Sequence, residues 1–129
     1  MKLLLDTHIL LAIVNNDTAR LPKQIRELLT FEGPKYSVSV VSLWEVAIKA
    51  RIGKLNVSSP IEQLDSICEA FALTIIPITA HHVLAHVLPE PPTRDPFDRL
   101  LLAQAEIEDM QLVTLDRALI GHPLAWQPN

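Results

Sequence analysis

Apolar residues fall along this chain in two rhythms. Short runs rich in aliphatic or β-branched residues predict strands at Lys2–Leu5, Tyr36–Val41, Thr74–Ile78 and Leu112–Leu115. The first has three leucines and no alternating polar residue, so it reads as a strand buried on both faces. Between these runs the apolar positions take helical spacing. A short helix is expected over His8–Val14 and a second over Leu21–Thr30, with Pro22 in its first turn and Leu21, Ile25, Leu28 and Leu29 on one face. A third follows Ser42, with Glu45 at the capping-box spacing, an apolar face of Leu43, Val46, Ala47 and Ala50, and Gly53 at its end. A fourth starts at Pro60 and runs to about Ala72, carrying Ile61, Leu64, Ile67, Cys68 and Phe71 inward. Further helices are expected over Thr79–Leu88 and Arg99–Glu108, separated by a loop that Pro89, Pro91, Pro92 and Pro96 hold extended. A short edge strand is expected around Leu124–Trp126. Strands alternating with helices predict an α/β fold: a mostly parallel sheet of four to five strands covered by helices, in one domain over residues 1–129.

Composition narrows the class. With 49% apolar residues in 129, the chain can bury a proper core. No apolar run approaches the ~18–20 residues of a membrane span. Asp6, inside the first apolar stretch, fits no signal peptide, so a cytoplasmic protein is expected. The lone Cys68 forms no internal disulfide and falls on a core position. A net charge of −4 argues against nucleic-acid binding by bulk positive charge. It leaves room for a nucleic-acid enzyme whose acids surround a cation.

Four acids stand where such a group would form. Asp6 ends the first strand, and Asp116 follows the fourth. Glu45 and Asp98 lie in the first turns of two helices. Strand C-termini and the N-termini of the following helices share one edge of a parallel sheet. Each acid alone has a plainer explanation: Glu45 pairing with Lys49 at i,i+4, Asp98 favoured by a helix dipole, Asp116 starting a turn. Asp95 before Pro96 is the expected N-cap and N1 pair. Together, acids on one edge would raise one another's pKa unless a hard divalent cation, Mg²⁺ or Mn²⁺, sat among them. No Cys/His spacing suggests zinc. His82 and His86 stand at i,i+4 with no acid of a metalloprotease motif between them, and read as surface or packing residues. Lys49, Arg94 and Arg99 are the best candidates to meet a phosphate backbone, and His8 also faces this edge. Trp44 and Trp126 read as core.

Four stretches, Leu4-Leu5-Asp6-Thr7-His8, Ser42-Leu43-Trp44-Glu45-Val46-Ala47-Ile48-Lys49, Arg94-Asp95-Pro96-Phe97-Asp98-Arg99-Leu100-Leu101 and Leu112-Val113-Thr114-Leu115-Asp116, occur in this order. Together they closely resemble the PIN-domain ribonucleases, and within them the VapC-type toxins of bacterial toxin–antitoxin pairs. The resemblance implies a PIN-like three-layer fold and a Mg²⁺-dependent endoribonuclease, with Mn²⁺ as the other candidate ion. It implies metal-binding and catalytic roles for Asp6, Glu45, Asp98 and Asp116. Thr7 and Thr114 would orient ligands or waters, and Asp95 would reach the metal or its waters. It also implies cleavage to a 3′-hydroxyl and a 5′-phosphate, a homodimer, and a small antitoxin partner. Two other readings are a catalytically silent PIN-like protein- or RNA-binding module and another metal-dependent phosphoesterase. The intact acids oppose the first. His8, where a phospho-acceptor domain would carry a second Asp, opposes the second.

Overall fold

The three-leucine run meets its expected burial. In the computed structural model, which describes residues 1–128, it forms β1 (Lys2–Leu5), and Leu3, Leu4 and Leu5 are fully buried. Side chains alternate across a strand, so β1 serves two cores. Leu3 and Leu5 pack with Ile9, Leu10, Ile25, Val38 and Val113 on one face. Leu4 packs with Val41, Leu101, Leu102 and Leu112 on the other. β1 lies between β2 (Lys35–Ser39) and β4 (Gln111–Val113), and β3 (Thr74–Ile76) flanks β2. The order is β3-β2-β1-β4, with every pairing parallel.

Parallel neighbours need crossover connections. The helices that flank this four-stranded sheet are α1 (Thr7–Val14), α2 (Lys23–Leu28), α3 (Val40–Arg51), α4 (Leu64–Ala70), α5 (Ala80–Leu84) and α6 (Pro96–Ile107). The α/β class and parallel sheet match the expectation. The Leu124–Trp126 edge strand does not form: the tail makes one parallel bridge, Leu112 to Ala125. Among the described residues no helix is long and apolar enough to cross a membrane.

Several boundaries move, each for a local reason. Ser39, not Ser42, caps α3, its hydroxyl accepting the Val41 N–H at 3.0 Å. The helix therefore takes the last two residues of the expected strand, and Glu45 falls in its second turn. Gly53 ends α3 as expected, at φ +79°, a region costly for residues with a Cβ. β3 stops at Ile76 because Pro77 has no N–H to extend the ladder. The Leu21–Thr30 helix shortens to α2, with Pro22 at its N-cap, and a separate 3-10 turn at Thr18–Arg20 precedes it. The Pro60 helix opens as a 3-10 turn over Ile61–Gln63, and Phe71 beyond its end is exposed. The Thr79–Leu88 helix shrinks to α5, with Thr79 as its cap. α6 begins at Pro96, as the expected Asp95 and Pro96 cap pair implies and three residues ahead of the apolar stretch from Arg99, with Asp95 capping it through the Phe97 N–H at 2.9 Å.

Candidate active site

The sheet's carboxyl edge is assembled by β1 and β4. Leu5 pairs with Val113, so the next residues, Asp6 and Thr114, emerge side by side. Asp6 is 4% exposed, a position an unpaired carboxylate could not hold. One of its oxygens accepts the Thr7 N–H at 2.7 Å and the other accepts the Thr114 hydroxyl at 2.6 Å. The same Thr114 oxygen accepts the Asp116 N–H at 3.0 Å, tying Asp116 to Asp6. Burial still raises the Asp6 pKa, against the Thr114 and Thr7 hydrogen bonds and the nearby His8.

α1 and α3 bring in the next group. The Thr7 hydroxyl donates to Glu45 Oε1 at 2.6 Å and lies 3.0 Å from the Ser42 hydroxyl. Thr7 has one proton to give, so Ser42 donates to Thr7 and Thr7 to Glu45. Glu45 Oε2 accepts from Lys49 Nζ at 2.5 Å, the i,i+4 pair foreseen as the plainer reading. Here that pair is no loose surface contact, because Glu45 is buried.

Asp98 enters from the first turn of α6. Thr93 Oγ1 approaches its Oδ2 at 3.4 Å and also accepts the Asp95 N–H at 3.1 Å. Asp98 is the most perturbed acid, its pKa pushed up to about 7 by burial first, then by the charges of Asp95, Asp6, Asp116 and Glu45. That set shows the convergence: every acid singled out from the sequence acts on Asp98. Asp116 points one oxygen into its own turn, accepting the Ala118 N–H at 2.8 Å. Among the described residues, however, no three acidic, histidine or cysteine side chains are gathered tightly enough, as they stand, to hold a metal ion. Asp6, Glu45 and Asp116 are instead engaged in local hydrogen bonds. Their chemistry still fits a hard divalent cation, since the donors are carboxylate oxygens flanked by hydroxyls, and the repulsion raising Asp98 is what a cation would relieve.

The cationic candidates divide. Lys49 faces the cluster, its pKa raised first by the Glu45 hydrogen bond and also by Asp95 and Asp98. Arg94 is exposed, with no ion pair among the described residues. Arg99 is turned to other work: its guanidinium pairs with Glu90, which also holds His86, and its Nε donates to the Thr93 carbonyl at 2.8 Å. It clamps the proline loop rather than reaching outward. His82 is buried, its Nδ1 accepting the Thr79 N–H at 3.0 Å while Nε2 meets Glu108 at 2.9 Å. His86 lies beyond α5 and is exposed, so the two share no metal face.

Trp44 corrects an expectation: it is 59% exposed, not core, and meets Phe97 edge-on at 5.6 Å. Trp126 is half-buried and packs against the core, as expected. Ser42 and Thr93 are site residues that the sequence did not single out. The only signal for Ser42 was a small polar residue one turn before Glu45.

The PIN domain family model matches residues 3–121 of this chain. Among solved structures, the fold is similar to a chain in the crystal structure of VapBC2 from Rickettsia felis bound to a DNA fragment from their promoter. The TM-score is 0.60 at 19% identity, covering 97% of this chain and 96% of that one. It is also similar to a chain of a toxin–antitoxin complex from Klebsiella pneumoniae, with TM-score 0.65 at 21% identity, covering 98% and 97%. No curated protein matches the sequence.

Proposed function

Because this chain belongs to the PIN domain family, we propose that it is a divalent-cation-dependent endoribonuclease and the toxin half of a toxin–antitoxin pair. The observation that carries the enzymatic reading is the gathering of acids at the carboxyl edge of the sheet, where Thr114 joins Asp6 to Asp116, Thr7 joins Asp6 to Glu45, and all three lie near Asp98. The toxin reading is supported by the two similar structures, both of complexes between toxin and antitoxin or their VapBC counterparts.

Asp6, Asp98 and Asp116 are the side chains that would hold Mg²⁺ or Mn²⁺, with Glu45 beside them and paired to Lys49. Bound there, the cation supplies Lewis-acid polarisation of a phosphoryl oxygen and a water acidic enough to attack near neutral pH. The chain's own groups prepare the rest. Thr114 fixes Asp6 and Asp116 relative to each other. Thr7 and Ser42 fix Glu45 across the α1–α3 contact. Lys49 and Arg94 offer positive charge to an RNA backbone that the acids alone would repel. Water adds to phosphorus, the bond to the 3′-oxygen breaks, and that oxygen takes up a proton. The products are a 3′-hydroxyl and a 5′-phosphate.

The proposed partners are a small antitoxin protein and a second copy of the chain, in the cytoplasm. Exposed Val83, Leu84 and Leu88 around α5, and Val40 and Trp44 on α3, support assembly, since such side chains gain from being covered. The deciding experiment incubates the purified chain with total RNA and Mg²⁺ and maps new 5′ ends. Cleavage is expected to vanish with a chelator and to fall at least about 100-fold in Asp6→Asn. No new ends beyond those made by Asp6→Asn would overturn the nuclease and favour a silent binding module.

A further inference from the structure

The acids of this edge differ in what already holds them. Asp98 has only the long Thr93 contact, and Asp116 uses one oxygen on its own turn. Asp6 accepts from one backbone N–H and one hydroxyl, neither of them charged. Glu45 stands apart: one oxygen takes the Thr7 hydroxyl at 2.6 Å and the other an ammonium at 2.5 Å. A buried carboxylate so engaged has little left to offer an ion. The ammonium comes from Lys49, one helical turn along α3, and its side chain is only 33% exposed. Asp95 and Asp98 also act on it, so its charge is directed into the cluster rather than out to solvent.

Resting on the metal reading above, we propose that Lys49 supplies the second positive charge of this cluster. The chain then binds one divalent cation, on the side of Asp6, Asp98 and Asp116. The Lys49 ammonium, held by Glu45, meets the phosphate oxygen that a second ion would otherwise meet. Two-ion nucleases bridge ions about 4 Å apart through shared carboxylates. Here one of the two buried carboxylates, Glu45, is committed to a lysine. Glu45 is accordingly a positioning residue: it holds the lysine rather than the ion. A lysine suits the task as a compact point charge with three donors, able to keep Glu45 and still offer a proton to a phosphate.

The test counts ions without turnover. Mn²⁺ is titrated into the intact chain and free Mn²⁺ is followed by electron paramagnetic resonance, with circular dichroism to confirm that each variant is folded. The wild type is expected to bind one Mn²⁺ per chain. Glu45→Gln should keep that count, with a Kd within about threefold, whereas Asp6→Asn should weaken it at least about tenfold. Lys49→Arg should keep one ion, and Lys49→Met, which uncovers Glu45, should admit a second. If Lys49→Met does not fold, the comparison of Glu45→Gln with Asp6→Asn decides alone. Two ions per wild-type chain, or equal weakening in Glu45→Gln and Asp6→Asn, would overturn the proposal while leaving the metal-dependent nuclease intact. No Mn²⁺ bound by any form would overturn both.

Discussion

Replacing Asp98 by asparagine should make the metal-free protein more stable while abolishing its activity. Burial and four surrounding acids push the Asp98 pKa from 3.8 up to about 7. The folded state therefore holds this proton more tightly than the unfolded chain does. Stability falls as pH rises through that window, and the whole deficit stands above it. The shift alone sets a ceiling of about 4 kcal/mol. Asp98 is only half-buried, and solvent and salt screening reduce this to about 1–2 kcal/mol. Asparagine keeps the shape and removes the charge, so Asp98→Asn should unfold about 4–7 °C higher at pH 8, a conversion that follows from the unfolding entropy of a chain this long. The gap should close towards pH 4, where the wild-type carboxyl is itself protonated in the fold. Saturating Mg²⁺ should reverse the order, since an ion at a hundredfold its Kd adds about 2.7 kcal/mol to a fold that binds it. The assay is thermal unfolding of both proteins from pH 4 to 8, with a chelator and with Mg²⁺. A variant less stable than wild type at pH 8 without metal, or a gap that does not change with pH, would refute the reasoning.

Four further outcomes follow from the same geometry. Thr114→Val leaves the buried Asp6 Oδ2 without its donor, which should cost about 1–3 kcal/mol in denaturant unfolding and weaken metal binding about 10–100-fold by calorimetry. Arg94→Ala should reduce the salt dependence of RNA binding by about one ion, measured as log Kd against log salt. Arg99→Ala should leave that slope alone and loosen the proline loop, seen as faster hydrogen exchange at residues 89–95, because Arg99 is spent on Glu90 and the Thr93 carbonyl. Ser39→Ala removes the α3 cap and should lower stability by about 1 kcal/mol in the same unfolding assay.

The acids were readable in the sequence because each stands where the backbone changes course. A leucine run cannot continue through Asp6, and Asp95-Pro96 can hardly be anything but a helix start. The parallel sheet followed from alternation with helices, whereas the strand order came only with the fold. What escaped was set by partners far away in the chain. Ser42 looked like a cap because Glu45 stood three residues on. Ser39 wins because β2 must end there for α3 to pack, which frees Ser42 to meet Thr7, 35 positions earlier. Arg99 looked outward until Glu90 was placed beside it, and nothing in the spacing could show that. Trp44 was read as core on its type alone. Apolar character predicts burial only on average, and much of any folded surface is apolar.

That misread tryptophan has a practical consequence. The chain has two tryptophans, and only Trp44 is largely exposed. Its indole leans on Phe97, immediately before Asp98 on α6, while Glu45 follows it on α3. With Trp126→Phe in place, all indole fluorescence would arise at the seam between the two helices that carry these acids. The protein thus comes with an optical gauge beside its own chemistry. An ion drawing α6 towards α3, or a molecule lodging on the rim, would register as a change in emission with no label attached.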